Sequence, residues 1–237
     1  MTTLIACSHG TADATGRAAV RTLIDQIRGL LPGIRVEEAF VDVQDPAVDE
    51  VVDRCVGDGP VVVVPLLLST GFHTNVDIAR AVAKHPGRAS AAPALGPHEL
   101  LADVLHDRLT AAGVRPGDAV VLAAAGSSDP AAAFDVQQMA AMLARRLDCP
   151  VTIGFAAGAG IRIADAVRAA GSGAGSDGAR RRVAIASYVL APGHFARVIA
   201  RGGGDLVTLP LAPDPRIAEI AAERCLAALR TLEPAVI

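Results

Sequence analysis

The sequence predicts an α/β protein made of two similar domains, each a mostly parallel, Rossmann-like three-layer sheet flanked by helices. Three observations lead there. Short apolar runs rich in β-branched residues alternate with longer stretches of helical periodicity, the order expected of βαβ crossovers. The runs are continuously apolar, as in strands covered on both faces. The order of elements then repeats in the second half of the 237-residue chain.

Taken in order, strands are expected at Thr3–Cys7, Arg35–Val43, Val61–Leu68, Ala119–Ala124, Val151–Ala156, Arg182–Leu190 and Leu206–Leu209. Helices are expected near Thr15–Leu30, Pro46–Val56, Asn75–Lys84, His98–Ala112, Ala131–Leu147, Ile161–Ala170, His194–Arg201 and Pro215–Leu229. Three blocks recur in the same order. LIACSHGTADATGRAAV resembles VVLAAAGSSDPAAAFDV, VVVVPLLLSTGFHTNVDIARAVA resembles VAIASYVLAPGHFARVIA, and APALGPHELLADVLHDRL resembles LPLAPDPRIAEIAAERCL. This is the pattern of an internal duplication. It divides the chain into domains at 1–114 and 115–237, where Gly and Pro interrupt the helical pattern. The stretch GSGAGSDGARRR, Gly171–Arg182, has the composition of a flexible loop.

Composition narrows the function. A net charge of −3, 3% aromatic residues and no Trp give neither a basic surface nor stacking platforms, so no nucleic-acid partner is expected. The longest apolar run, Val61–Leu68, is far short of the roughly 20 residues of a membrane span. The N-terminus lacks the basic and apolar regions of a signal peptide, which suggests a cytoplasmic protein with no membrane partner. Cys7, Cys55, Cys149 and Cys225 are scattered without metal-type spacing. Cys7 reads as a buried structural thiol. Of the 22 basic residues only Lys84 is a lysine, and arginine forks suit carboxylates.

In a parallel sheet, ligands bind beyond the carboxyl ends of the strands. Three residues of the first half fall there: His9 after the first strand, Asp42 near the end of the second, and His73 after the third. Two imidazoles and a carboxylate form a ligand set for a borderline divalent metal, although Asp42 can equally serve to cap its turn. Gly10 and Gly71 beside the histidines permit tight turns and leave space for a bulky ligand. SHGTADATG is neither GxGxxG nor a Walker loop, so no nucleotide is expected. Ser8 lacks the GxSxG context of a nucleophile. Ser127 and Ser128 either cap the helix that follows, with Asp129 and Pro130 at its start, or bind an anion there. His85, His98 and His106 read as surface residues.

HGT after the first strand, FVDVQDP after the second and PLLLSTGFHTNVDI around the third resemble the CbiX/SirB sirohydrochlorin chelatases. GSSDP and SYVLAPG extend the likeness to the second domain of the long, two-domain form. The resemblance implies a chelatase-like fold and a class II chelatase, a lyase that needs no ATP. It would insert Fe²⁺ for sirohaem, which is favoured, or Co²⁺ for cobalamin into sirohydrochlorin, with the divalent metal as a substrate. It places the family histidines on His9 and His73 as catalytic and metal-binding residues, and the acidic ligand of some members on Asp42. Asp77 would hold the loop. Substrate carboxylates would meet the segments Ser8, Gly10 and Thr11, then Ser69, Thr70 and Gly71, and also Ser127 and Ser128.

In the second half Ala125 replaces His9 and Phe195 aligns with His73, with His194 one position early. The second domain therefore reads as a degenerate copy forming the other wall of a cleft, and a tandem repeat suggests a monomer. Two other functions compete: a non-catalytic carrier of the tetrapyrrole or metal, and an α/β enzyme acting on a nucleotide.

Overall fold

The computed structural model describes residues 1–71, 73–173 and 180–232, with the backbone alone for 73–75. Residues 174–179 of the expected Gly171–Arg182 loop lie outside the described residues.

The first half holds β1 (Thr3–Ser8), α1 (Ala14–Leu30), β2 (Arg35–Phe40), α2 (Val48–Cys55), β3 (Val61–Pro65), a π-helical segment His73–Ile78 that continues as α3 (Ala79–Ala83), β4 (Ala89–Ala91) and α4 (Glu99–Ala111). The second holds β5 (Ala119–Ala124), α5 (Pro130–Leu147), β6 (Val151–Phe155), α6 (Ile163–Gly171), β7 (Val183–Tyr188), α7 (His194–Ala200), β8 (Leu206–Val207) and α8 (Pro215–Leu232). The strands form two four-stranded sheets of order β2-β1-β3-β4 and β6-β5-β7-β8, and every pairing is parallel. The α/β class and the paired, equivalent sheets are those the sequence predicts.

β1 and β3 are fully buried along their length, as an inner strand with helices on both faces requires. Side chains of a strand alternate in direction. Ile5 and Cys7 accordingly join Val61 and Val63 in one cluster with Val48, Val51, Val52 and Ile78. In the second sheet Val121, Ala123, Val183 and Ile185 pack in the same way against Ile163, Ala166 and Val167.

The compact units are not cut at the 114/115 boundary of the sequence repeat. One comprises Met1–Gly96 with Ala212–Ile237, the other Pro97–Leu211. The reason lies in the last helix of each half. Arg146 on α5 bonds Asp103 at 2.5 Å and Glu99 at 2.6 Å, fixing α4 in the second unit. In the first unit α8 packs on α1, β3 and β4, and Gln26 Nε2 donates to Pro213 O at 2.9 Å. Each half thus lends its closing helix to the sheet of the other.

Several details depart from expectation. β2 stops at Phe40 and β3 at Pro65, because the apolar residues beyond them enter loops. β4 was not expected. His98 is the N-cap of α4, its Nδ1 accepting Leu100 N–H at 3.1 Å. His85 lies 2.6 Å from Asp53 and is only partly exposed. No described helix is long and apolar enough to cross a membrane.

Candidate functional site

In the first sheet β1 lies between β2 and β3, so the loops that follow these three strands are neighbours. His9 directly follows β1, Asp42 lies two residues beyond β2, and His73 opens the π-helical segment that follows β3. Backbone bonds carry the alignment past the strands: Val41 N–H donates to Ser8 O at 3.1 Å, and Leu66 N–H to Cys7 O at 2.7 Å. The three expected residues thus issue from three adjacent strand ends. The side chain of His73 lies outside the described residues.

His9 Nε2 and Asp42 Oδ2 are 3.9 Å apart, with the two side chains 41% and 61% exposed. That separation is too long for a hydrogen bond. It is close to the ~3.4 Å between two ligands that share an ion at ~2.1 Å. Among the described residues, no group of three His, Cys, Asp or Glu side chains is assembled for a metal.

The backbone between the two loops is tightly set. Gly10 has φ +88°, and a Cβ there would meet Asp42 O at 3.1 Å and Gln44 N at 3.2 Å. Glycine is therefore needed to let the loop after β1 lie against the loop after β2. Thr11 N–H donates to Gln44 Oε1 at 2.8 Å, and Thr11 Oγ1 accepts Asp13 N–H at 3.1 Å. The Thr11 amide expected to meet substrate carboxylates is thus already engaged within the protein. Asp13 caps α1, accepting from Thr15 and Gly16 at 3.0 and 3.1 Å.

Ser8 is buried, whereas Ser69, Thr70 and Gly71 are half-buried in the loop after β3. Cys7 is fully buried, and that burial, followed by the nearby charge of Asp77, pushes its thiol up to about 12. It is the structural thiol expected. Asp77 pairs with Arg80 at 3.5 Å.

The second unit repeats this scaffold without the imidazole and the carboxylate. Ala156 N–H donates to Ala124 O at 2.9 Å, as Val41 does to Ser8. Gly126 has φ +89°, matching Gly10. Ser127 Oγ accepts Asp129 N–H at 3.0 Å, and Asp129 caps α5 with Pro130 in its first turn. The cap is therefore Asp129, with Ser127 supporting it and Ser128 exposed. This register puts Ala125 at the position of His9, Ala157 at that of Asp42 and Phe195 at that of His73. Phe195 packs on the core, and His194 beside it is exposed, its ring edge-on to Phe195 at 5.3 Å.

Sequence reasoning missed two residues of the FVDVQDP loop. Gln44 ties the loop to Thr11, and Val43 has a backbone φ of +43°. An open depression is lined by this loop, including Phe40, Asp42, Val43 and Gln44.

The fold and the loops define a class: a doubled, parallel α/β protein in which one copy presents an imidazole and a carboxylate at adjacent strand ends. Residues 3–112 match the CbiX family model, so the resemblance seen in the motifs holds over the half that carries His9, Asp42 and His73. A probable sirohydrochlorin cobaltochelatase of Halobacterium salinarum is 37% identical over 134 residues, covering 49% of this chain and 44% of that protein. A sirohydrochlorin ferrochelatase of Priestia megaterium is 27% identical over 144 residues, covering 57% and 54%. The chain thus spans about half the length of these two relatives. Among solved structures, SirB from Bacillus subtilis with Fe³⁺ aligns with a TM-score of 0.81 and 21% identity, over 97% of this chain and 96% of that one. CbiX, described as the terminal enzyme of sirohaem biosynthesis in denitrifying bacteria, aligns at 0.66 and 21%, over 96% and 99%. At these identities the structural likeness establishes the fold.

Proposed function

We propose that the protein is a sirohydrochlorin chelatase, a cytoplasmic lyase and monomer that inserts a divalent metal into sirohydrochlorin without ATP. Iron is the proposed metal, with cobalt its competitor; imidazole and carboxylate ligands accommodate both. The observation that carries this reading is the contrast between the two copies of one scaffold. His9 and Asp42 converge to 3.9 Å in the copy that matches CbiX, while the other has Ala125 and Ala157. Structural needs alone would not separate the copies in this way.

In the proposed reaction the macrocycle lies over the loops after β1, β2 and β3. His9, His73 and Asp42 hold the incoming metal as it sheds water. Two pyrrolic protons leave the ring as the metal takes four nitrogen bonds, so charge balances without a nucleotide or a redox partner. A neutral imidazole whose lone pair is not on the metal accepts such a proton. The half-buried segment Ser69–Gly71, together with arginine side chains, supplies donors for the peripheral carboxylates in this reading.

The test is to mix the intact protein with sirohydrochlorin and Fe²⁺ or Co²⁺, without nucleotide, and follow the absorption spectrum. The proposal expects metallation faster than the uncatalysed reaction. A spectral shift of the ligand with no acceleration would instead identify a carrier.

A further inference from the structure

We infer that Val43 is a substrate-contact residue, an apolar step beside His9 against which the flat face of the tetrapyrrole rests. The inference depends on the chelatase reading above and names a new contact within that site.

The loops after β2 and β6 are of equal length. Phe40 N–H donates to Pro46 O at 3.0 Å, and Phe155 N–H to Ile161 O at 2.8 Å. Parallel bridges join Phe40 to Ala47 and Phe155 to Arg162. The loops therefore correspond residue by residue, and Val43 stands where the second copy has Gly158. Both are left-handed, with φ +43° at Val43 and +70° at Gly158. The turn demands that conformation, and glycine adopts it without steric cost. A β-branched residue there is an outlier.

Packing does not offset the strain, because Val43 is 54% exposed. A scattered exposed valine is ordinary on a protein surface. One kept in a disfavoured conformation, where the sister loop uses glycine, points to a role outside folding. Its position says which role. A Cβ added to Gly10 would meet the Val43 Cβ at 3.2 Å, so the side chain stands against the residue that follows His9. It lines the same open depression as Asp42. Val43 also accompanies the chemistry: the copy with His9 and Asp42 has it, and the copy with Ala125 and Ala157 has glycine.

An isopropyl group offers nothing to a metal ion or a carboxylate. It suits a flat apolar surface, which in this reaction only the macrocycle provides. Metal and tetrapyrrole affinities should therefore separate.

The experiment titrates the intact protein with metal-free sirohydrochlorin, and separately with Co²⁺, for wild type, Val43→Gly and Val43→Leu. Val43→Gly should bind sirohydrochlorin about fivefold more weakly, the order expected for losing part of a valine contact. Its Co²⁺ binding should be unchanged and its thermal midpoint equal or higher, since glycine relieves the strain. Val43→Leu, apolar but unbranched at Cβ, should restore tetrapyrrole affinity. Wild-type affinity in Val43→Gly, or a lowered midpoint marking a folding role, would overturn the inference. Wild-type protein that does not bind sirohydrochlorin would overturn the chelatase reading itself, before any variant is compared.

Discussion

Gln44 Oε1 accepts the Thr11 N–H at 2.8 Å, bonding the loop after β2 to the loop after β1 just beyond His9. Together with the Val41 N–H to Ser8 O bond it joins the segments that carry His9 and Asp42, so Gln44 is placed as a positioning residue. Gln44→Ala should slow metal insertion about tenfold, with a change in the thermal midpoint no larger than the loss of one hydrogen bond, about 1 kcal/mol. Gln44→Glu keeps an acceptor for the amide and should recover most of the rate. Single-turnover insertion and a melting curve on each variant check this.

The scaffold glycines should respond unequally. A Cβ at Gly126 would meet Ala157 O at 2.1 Å, whereas one at Gly10 meets nothing closer than 3.1 Å. Both residues are left-handed, which alone costs an alanine about 1–2 kcal/mol. Gly126→Ala should therefore destabilise the protein well beyond that figure and Gly10→Ala by little more, as read from denaturant midpoints. Gly10→Ala should still slow insertion, because the loop after β1 would be pushed away from Asp42.

The paired caps give a matched control. Asp13 and Asp129 each accept from the first turn of their helix, at 3.0 Å from Thr15 and 2.9 Å from Ala131. Replacing either with Ala should cost about 1 kcal/mol. Asp129→Ala should leave the insertion rate unchanged, and Asp13→Ala should alter it only through the loop that holds Thr11. Equal rate losses in both would mean that the second copy also takes part.

Two buried thiols predict a pH dependence of stability. Burial raises Cys7 to about 12 and Cys225 to about 11 from an ordinary value near 9. Folding therefore favours the protonated thiols. Their contribution is complete below about pH 9, where unfolded thiols are protonated too, and is lost as pH rises from there towards 11–12. The thermal midpoint should stay level from pH 7 to 8.5 and fall above pH 9, with a smaller fall in Cys7→Ala once its lower starting stability is subtracted. At pH 8 Cys7 should resist thiol reagents.

Much of the fold was legible because continuous apolar runs and helical periodicity are local signals. Ala119–Ala124 was placed to the residue, and the duplicated sheets followed from the order of elements. What failed was non-local or conformational. Ala89–Ala91 is too short and too rich in alanine to read as a strand, and only its pairing with β3 makes it one. The helix Glu99–Ala111 completes the first half in sequence but packs in the second unit, because periodicity shows that a face is buried and not which sheet buries it. At the candidate site, His9 and Asp42 were expected from their positions at strand ends, and the two side chains lie 3.9 Å apart. Val43 and Gln44 were missed, although aligning FVDVQDP with FAAGAGI places Val43 over Gly158 and could have revealed the left-handed position.

In the proposed reaction, imidazoles at the ends of β1 and β3 carry metal insertion in the first unit. The most direct test of that role is single-turnover insertion into sirohydrochlorin with saturating Co²⁺ and no nucleotide, comparing wild type with His9→Ala and His73→Ala. Each variant should fold, bind the tetrapyrrole and lose about a hundredfold or more in rate. Insertion at the wild-type rate in both variants would contradict that role.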